Sequence, residues 1–203
     1  MESIFALVDI IFVSRISVEA VAVVGLTEST LTIIYSLGFG LSMGATALVA
    51  RRVGEKDSVG AAEAGMQAIY LGLGLASIIS IIGIFYSRDI LELMGASAGM
   101  IETGSGYIKW MLCGNFAILL LFLINGIFRG AGDAGAMRSL MLANAINIIL
   151  DPLLIFGIGF FPELGVKGAA VSTTIGRSIG VLYQLYYLVN GKSLIVLKGK
   201  SGI

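Results

Sequence analysis

Long apolar runs broken by short polar turns organise this chain, and the runs are of membrane length. About 20 apolar residues, rising 1.5 Å each as a helix, cross a hydrocarbon core of ~30 Å. The pattern predicts spans over Ala20 to Ala50, closed by Arg51 and Arg52, over Ala61 to Tyr86, over Trp110 to Phe128, over a fifth stretch containing Asn144 to Gly157, and over Ala169 to Val189. The first apolar run, Ser3 to Ser14, covers only roughly 18 Å and is too short to cross. It reads either as a re-entrant segment or as the remainder of a first helix, and Asp9 in its middle favours the second. Ser36, Gly40 and Gly44 recur every four residues and predict a smooth packing face on the second span. Ser87 to Lys109, with Arg88, Asp89, Glu92 and Glu102, reads as one long polar connection carrying a short interfacial helix. RGAGDAGAMR joins the fourth and fifth spans, FFPELGVKG joins the fifth and sixth, and the basic tail from residue 191 reads as the start of a linker.

Composition assigns the class. A mean hydropathy of +0.98, with 57% hydrophobic residues, 13% charged and 28 glycines among 203, describes an all-α polytopic membrane bundle rather than a soluble domain. There is no histidine and one cysteine, Cys113, which excludes a His/Cys zinc site, a Cys-His catalytic pair and an internal disulfide. Any ion held here is held by oxygens. The opening Met-Glu lacks a basic region and no small-residue cleavage site follows, so no signal peptide is read. Nothing in the charge pattern points to nucleic acid. A zigzag of six spans puts Arg51, Arg52, Lys56, Arg129, Arg138, Lys192, Lys198 and Lys200 on one side, and Arg15, Arg88, Lys109 and Lys167 on the other. The positive-inside rule turns the first side to the cytoplasm.

The candidate chemistry lies in NAINIILDPLLIFG. Asn144, Asn147 and Asp151 fall on one helix face among isoleucines and leucines, a stripe that cannot face lipid. An acid at membrane depth is by default a functional group. Pro152 cannot donate to the Ile148 carbonyl, which predicts a freed oxygen beside the carboxylate and a kink. Depth counting across the turn near Asp133 brings Asn125 level with Asn144, and places Thr173 near Asp151. The Thr173 hydroxyl has two uses open to it, the cluster or its own i−4 carbonyl. Glu28 falls near the outer end of the second span, where a carboxylate is cheap. Arg177, inside the sixth span, points to the cytoplasmic half; an arginine reaching the acids would hold both ionised and leave little room for a cation.

Two apparent motifs fail on context. Gly130, Gly132 and Gly135 spell G-x-G-x-x-G, but no strand precedes them. Gly130 to Asp133 spells the GxGD of intramembrane aspartyl proteases, but Asp133 sits between Arg129 and Arg138 at the membrane edge, and Val8 and Leu150 stand where that family has tyrosine. No enzyme is read. A weak echo between VDIIFVSRISVEAVAVVG and LDPLLIFGIGFFPELGVKGAAVST, both running outward, implies a parallel repeat that sets Asp9 and Asp151 at similar depth.

VDIIFVSRI, SLGFGLSMGATALVARRVGEKD, NGIFRGAGD and NIILDPLLIFGIGFFPELGVKGAA resemble, in that order, the N-terminal lobe of the MATE (multidrug and toxin extrusion) transporters. The resemblance covers nearly the whole chain. It implies one six-helix lobe, with its first helix truncated, of a twelve-helix antiporter that exports drugs or organic cations in exchange for Na+ or H+. It further implies a six-helix lobe over residues 1–190, a cytoplasmic inter-lobe linker from 191–203, a C-terminal lobe as partner, and a multi-pass place in a bacterial or archaeal plasma membrane. The family's site residues fall on Asp9, Asn125, Asn147, Asp151 and Thr173, with Na+ at Asp9, Asn147 and Asp151 and no cofactor beyond the coupling ion. Phe5 stands where many members have tyrosine. The alternative is a self-sufficient six-helix protein that dimerises as a channel or as a lipid or polysaccharide carrier.

Overall fold

The computed structural model describes residues 10–133 and 135–190, the side chains of 135–137 excepted. Residues 10–14 are helical, and six longer helices follow: α1 Val18–Gly54, α2 Ser58–Leu93, α3 Ala98–Cys113, α4 Asn115–Ala131, α5 Gly135–Phe156 and α6 Val166–Val189. Among the described residues there is no strand.

The starts of α1, α2 and α3 each satisfy an orphan amide with a side-chain oxygen. Ser17 accepts from the Ala20 N–H at 3.0 Å, Asp57 from Gly60 at 2.8 Å, and Ser97 from Met100 at 3.4 Å. At the end of α4, Gly132 takes the left-handed φ of 74°. The Asp133 N–H then returns to the Phe128 carbonyl at 2.8 Å, a turn that a side chain at Gly132 would strain.

Val18–Gly54, Ser58–Leu93, Ala98–Ala131 and Arg138–Phe156 are long and apolar enough to cross a membrane. The 24 residues of α6 reach ~36 Å, although Lys167, Arg177 and Gln184 interrupt its apolar run. The expected polar connection at Ser87 to Lys109 is a misreading. Helix α2 continues to Leu93, only residues 94–97 form the turn, and α3 is the outer half of the fourth pass rather than an interfacial helix. With 36 residues, α2 is ~54 Å long and overruns a ~30 Å core, so Arg88, Asp89 and Glu92 stand on helix already clear of hydrocarbon.

The fourth pass breaks at Gly114, and side chains satisfy the carbonyls there. Asn115 Nδ2 donates to the Ala76 carbonyl at 3.2 Å, to Ser80 Oγ at 3.0 Å and to the Leu112 carbonyl. Ser80 Oγ lies 3.3 Å from the Cys113 carbonyl. All of this is sealed, Asn115 being fully buried.

Packing is by small residues, as bilayer bundles require in the absence of a strong hydrophobic drive between helices. The face that packs on α1 is not the expected one. Ser36, Gly40 and Gly44 are exposed, and a Cβ at Gly40 or Gly44 meets nothing within 4 Å. A shift of two residues turns a helix by about 200°, and the face that packs holds Gly38 and Ser42. A Cβ at Gly38 lies 2.9 Å from the Phe122 ring, and Ser42 donates to the Phe122 carbonyl at 2.7 Å. From α4, Gly126 and Gly130 come so close that a Cβ would stand 2.5 Å and 2.7 Å from the carbonyls of Ser42 and Thr46. Two buried apolar clusters flank these seams, one around Leu31, Ile108 and Leu119, the other around Ile124, Phe128 and Leu188.

At the α1–α2 turn, Arg51 and Arg52 pair with Glu55 and Asp57 at 2.9 to 3.5 Å. Counting bases over the turns makes this the cytoplasmic end. In a Cys113-free background, a cysteine at Ser97 is expected to react with a membrane-impermeant reagent applied outside, and one at Lys56 to be spared. The reverse labelling pattern inverts the topology.

Candidate functional site

Asn147 and Asp151 lie one turn apart on α5, and both are buried, Asp151 completely. Pro152 follows inside the helix, which nevertheless continues to Phe156. Burying an acid in hydrocarbon-grade surroundings is costly unless hydrogen bonds answer it. The answer comes from α6.

Gly168, Ser172, Gly176, Gly180 and Gln184 recur every four residues along α6. That spacing sets them on one face, and the face lies against α5. A Cβ at Gly168 stands 2.5 Å from the Leu154 carbonyl oxygen, one at Gly176 stands 2.6 Å from the Ala143 carbonyl oxygen, and one at Gly180 stands 3.0 Å from the Ala143 methyl. The two backbones are therefore in near contact. At such a separation a hydroxyl on a single methylene spans the gap, and Ser172 donates to Asp151 Oδ1. Asn147 Nδ2 lies 3.2 Å from the same carboxylate oxygen, 3.0 Å from Thr173 Oγ1 and 3.5 Å from Ser172 Oγ. One amide nitrogen thus stands amid a carboxylate and two hydroxyl oxygens, all buried.

The structure brings Asn147, Asp151 and Thr173 together and adds Ser172, which sequence reasoning missed. The signal was available in the glycine stripe, whose one hydroxyl member is Ser172. Asn125 belongs elsewhere. Its Oδ1 accepts from Gln184 Nε2 at 2.8 Å, and the same nitrogen reaches Ser139 Oγ at 2.8 Å. Depth counting treated α4 and α5 as adjacent, whereas α6 packs on both and separates them. Gln184 bridges the gap, making a second buried polar cluster about three turns along α6 from Thr173. Asp9 and Phe5 lie outside the described residues. Arg177, one turn beyond Thr173, sets Nη2 3.5 Å from the Tyr35 hydroxyl and its guanidinium carbon 5.8 Å from the Tyr35 ring centre. That is a cation–π distance. Phe122 meets the Tyr35 ring edge-on at 6.0 Å. Among the described residues, no group of three His, Cys, Asp or Glu side chains gathers into a metal site.

The comparisons with known proteins agree with this architecture. The MatE family profile matches residues 1–153. The chain is 31% identical over 186 residues to the FAD transporter of Shewanella oneidensis, covering 91% of this chain and 41% of that protein. It is 27% identical over 201 residues to the probable multidrug resistance protein NorM of Thermotoga maritima, covering 98% and 43%. Among solved structures, a MATE transporter in the bent conformation superposes with a TM-score of 0.90 at 32% identity, covering 100% of this chain and 45% of that one. The inward-facing conformation of a multidrug resistance MATE family transporter gives 0.89 at 32% identity, covering 98% and 44%. The chain thus spans less than half the length of the relatives it matches. It belongs to the MatE family, as a multi-pass all-α bundle corresponding to an N-terminal half of that fold.

Proposed function

We propose that this chain is one lobe of an antiporter that exports drugs or organic cations in exchange for Na+ or H+. The coupling ion binds at Asp151, Asn147, Ser172 and Thr173, and we extend the proposal to Asp9, which the family resemblance assigns to the same site. The observation that carries this reading is the Asn147 amide nitrogen held between a carboxylate and two hydroxyl oxygens within 3.0 to 3.5 Å.

An N–H donor pointing into three acceptors occupies the position a cation would take. If the amide turns over, its oxygen joins the same ring, and the Ser172 and Thr173 hydroxyls offer lone pairs in place of protons. The ring then supplies one charge and several neutral oxygens, a donor set that matches a monovalent ion better than a divalent one. A proton satisfies the same group differently, converting Asp151 from acceptor to donor. Either species removes the desolvation penalty of the bare carboxylate, so each favours whichever arrangement of α5 and α6 closes the ring most tightly. A ligand moves a conformational equilibrium only by such a difference. Pro152 interrupts the backbone ladder next to the acid and gives α5 a place to bend. Asn125, Ser139 and Gln184 hold the cytoplasmic halves of α4, α5 and α6 together, so the movement is confined to the outer half.

The test is efflux from proteoliposomes carrying both lobes, with Na+ and proton gradients imposed separately. Export is expected to accelerate with one inwardly directed gradient and stall when it is collapsed. Export indifferent to both gradients overturns the antiport reading.

A further inference from the structure

The outer end of the lobe carries a charged cavity that the transport site does not use. It has a volume of about 470 Å³ and lies between the last turns of α2, the middle of α3 and the first turn of α6, where Arg88, Lys109 and Lys167 share it with Asp89, Glu92 and Ser105. Lysines and an arginine normally pair with neighbouring carboxylates where they can. Here they do not: among the described residues, the ion pairs are those of Arg51 and Arg52 with Glu55 and Asp57, so all five charges around the cavity are unpaired. Lys167 is positioned by the chain rather than dangling from it. Gly106 lacks a side chain, and the lysine stem lies across α3 in that space, its Nζ 2.9 Å from where a Cβ would stand.

The level of the cavity is fixed by its aromatic neighbours. Phe85 and Tyr86 precede Arg88 in the chain, Trp110 follows Lys109, and all three are exposed. Exposed aromatic rings beside basic residues mark the headgroup region of a bilayer. A cavity at that depth opens onto lipid headgroups, with the exposed Ile84 and Phe85 below it to border acyl chains.

We propose that this cavity binds a zwitterionic phospholipid headgroup, that of phosphatidylethanolamine. The phosphate is taken by Lys109, Lys167 and Arg88, and the primary ammonium by Asp89 and Glu92. A site for an anionic headgroup alone would have no use for two unpaired carboxylates, which would repel it. A phosphatidylcholine headgroup has the same charges but no N–H to donate, and hydrogen bonds to charged acceptors are the stronger kind.

Native mass spectrometry of the purified protein, offered phosphatidylethanolamine, phosphatidylglycerol and phosphatidylcholine in turn, tests this. Phosphatidylethanolamine is expected to be retained about tenfold better than phosphatidylcholine, the ratio that one or two charge-assisted hydrogen bonds give. Lys109→Ala with Lys167→Ala should abolish retention of both phosphatidylethanolamine and phosphatidylglycerol. Asp89→Asn with Glu92→Gln should instead keep retention and erase the preference for phosphatidylethanolamine over phosphatidylglycerol. These exposed substitutions are expected to leave the melting temperature unchanged, so loss of lipid reads the site. Equal retention of phosphatidylethanolamine and phosphatidylcholine overturns the proposal, as does retention unaffected by the lysine pair. Displacement of the lipid by free phosphoethanolamine at equal concentration also overturns it, assigning the cavity to a soluble phosphate.

Discussion

Asp151→Asn is expected to insert, fold and melt like the parent protein while losing ion-driven efflux. The amide is nearly isosteric with the carboxylate and still accepts from Ser172, which donates to Asp151 Oδ1 in the parent. Removing a buried charge also lifts a desolvation cost rather than adding one. Stability should therefore change by no more than about 1 kcal/mol. Transport should fall much further. Loss of a group that merely orients an ion's ligands costs roughly 10- to 100-fold in affinity, and Asp151 supplies the charge itself. A drop of at least that size in gradient-driven export, with unchanged yield and melting temperature, is the expected pair of results. A variant that misfolds, yet transports normally in whatever fraction folds, would show that the carboxylate holds the bundle and does not couple ions.

The second large effect is the converse, a loss of fold with the site chemistry intact. Gly176→Leu puts a branched side chain where even a Cβ would be 2.6 Å from the Ala143 carbonyl and 3.3 Å from the Asn147 amide nitrogen. Neither neighbour can rotate away, since both are helix backbone. Overpacking of a core costs about 1 to 3 kcal/mol, occasionally more, and a clash against backbone belongs at or above the top of that range. The variant is expected to lose its monodisperse elution peak in fluorescence-detected size-exclusion or to melt well below the parent. Gly40→Leu, at a position with nothing within 4 Å, is the matched control and should melt normally. Equal behaviour of the two variants would mean that α5 and α6 are not packed backbone to backbone.

How far the sequence could be read follows from which signals are local. Helix content and the shared face of Asn147 and Asp151 are properties of one segment's periodicity, and hydrophobic runs report them directly. Thr173 was reachable because α5 and α6 are joined by a short turn and pack on each other, so residue counting measures depth. The same counting failed for Asn125, because chain neighbours α4 and α5 are held apart by α6. Glycine spacing announced that α1 would pack closely, but Gly40 and Gly44 follow the same period as Gly38 and Ser42, and only the partner helix chooses between the faces. The polarity of Ser87 to Lys109 was read as a loop because charges seldom sit in a membrane helix. Helices that overrun the bilayer by many residues remove that objection. Ser172 escaped notice because serine in a membrane helix is usually bonded to its own backbone, and here it also lies 2.9 Å from the Ala169 carbonyl.

On the proposed reading of the Asp151 cluster as an ion site, the backbone contact between α5 and α6 also bears on ion size. A ring of ligands on long flexible side chains can breathe to suit ions of different radius. The distance from Asp151 to Ser172 has little such freedom, because Gly168 and Gly176 already rest against the carbonyls of Leu154 and Ala143 on either side of it. A larger alkali ion seated there would have to wedge two helices apart over several turns, instead of swinging one rotamer. Discrimination against potassium would then be a property of glycine placement as much as of the oxygen ligands.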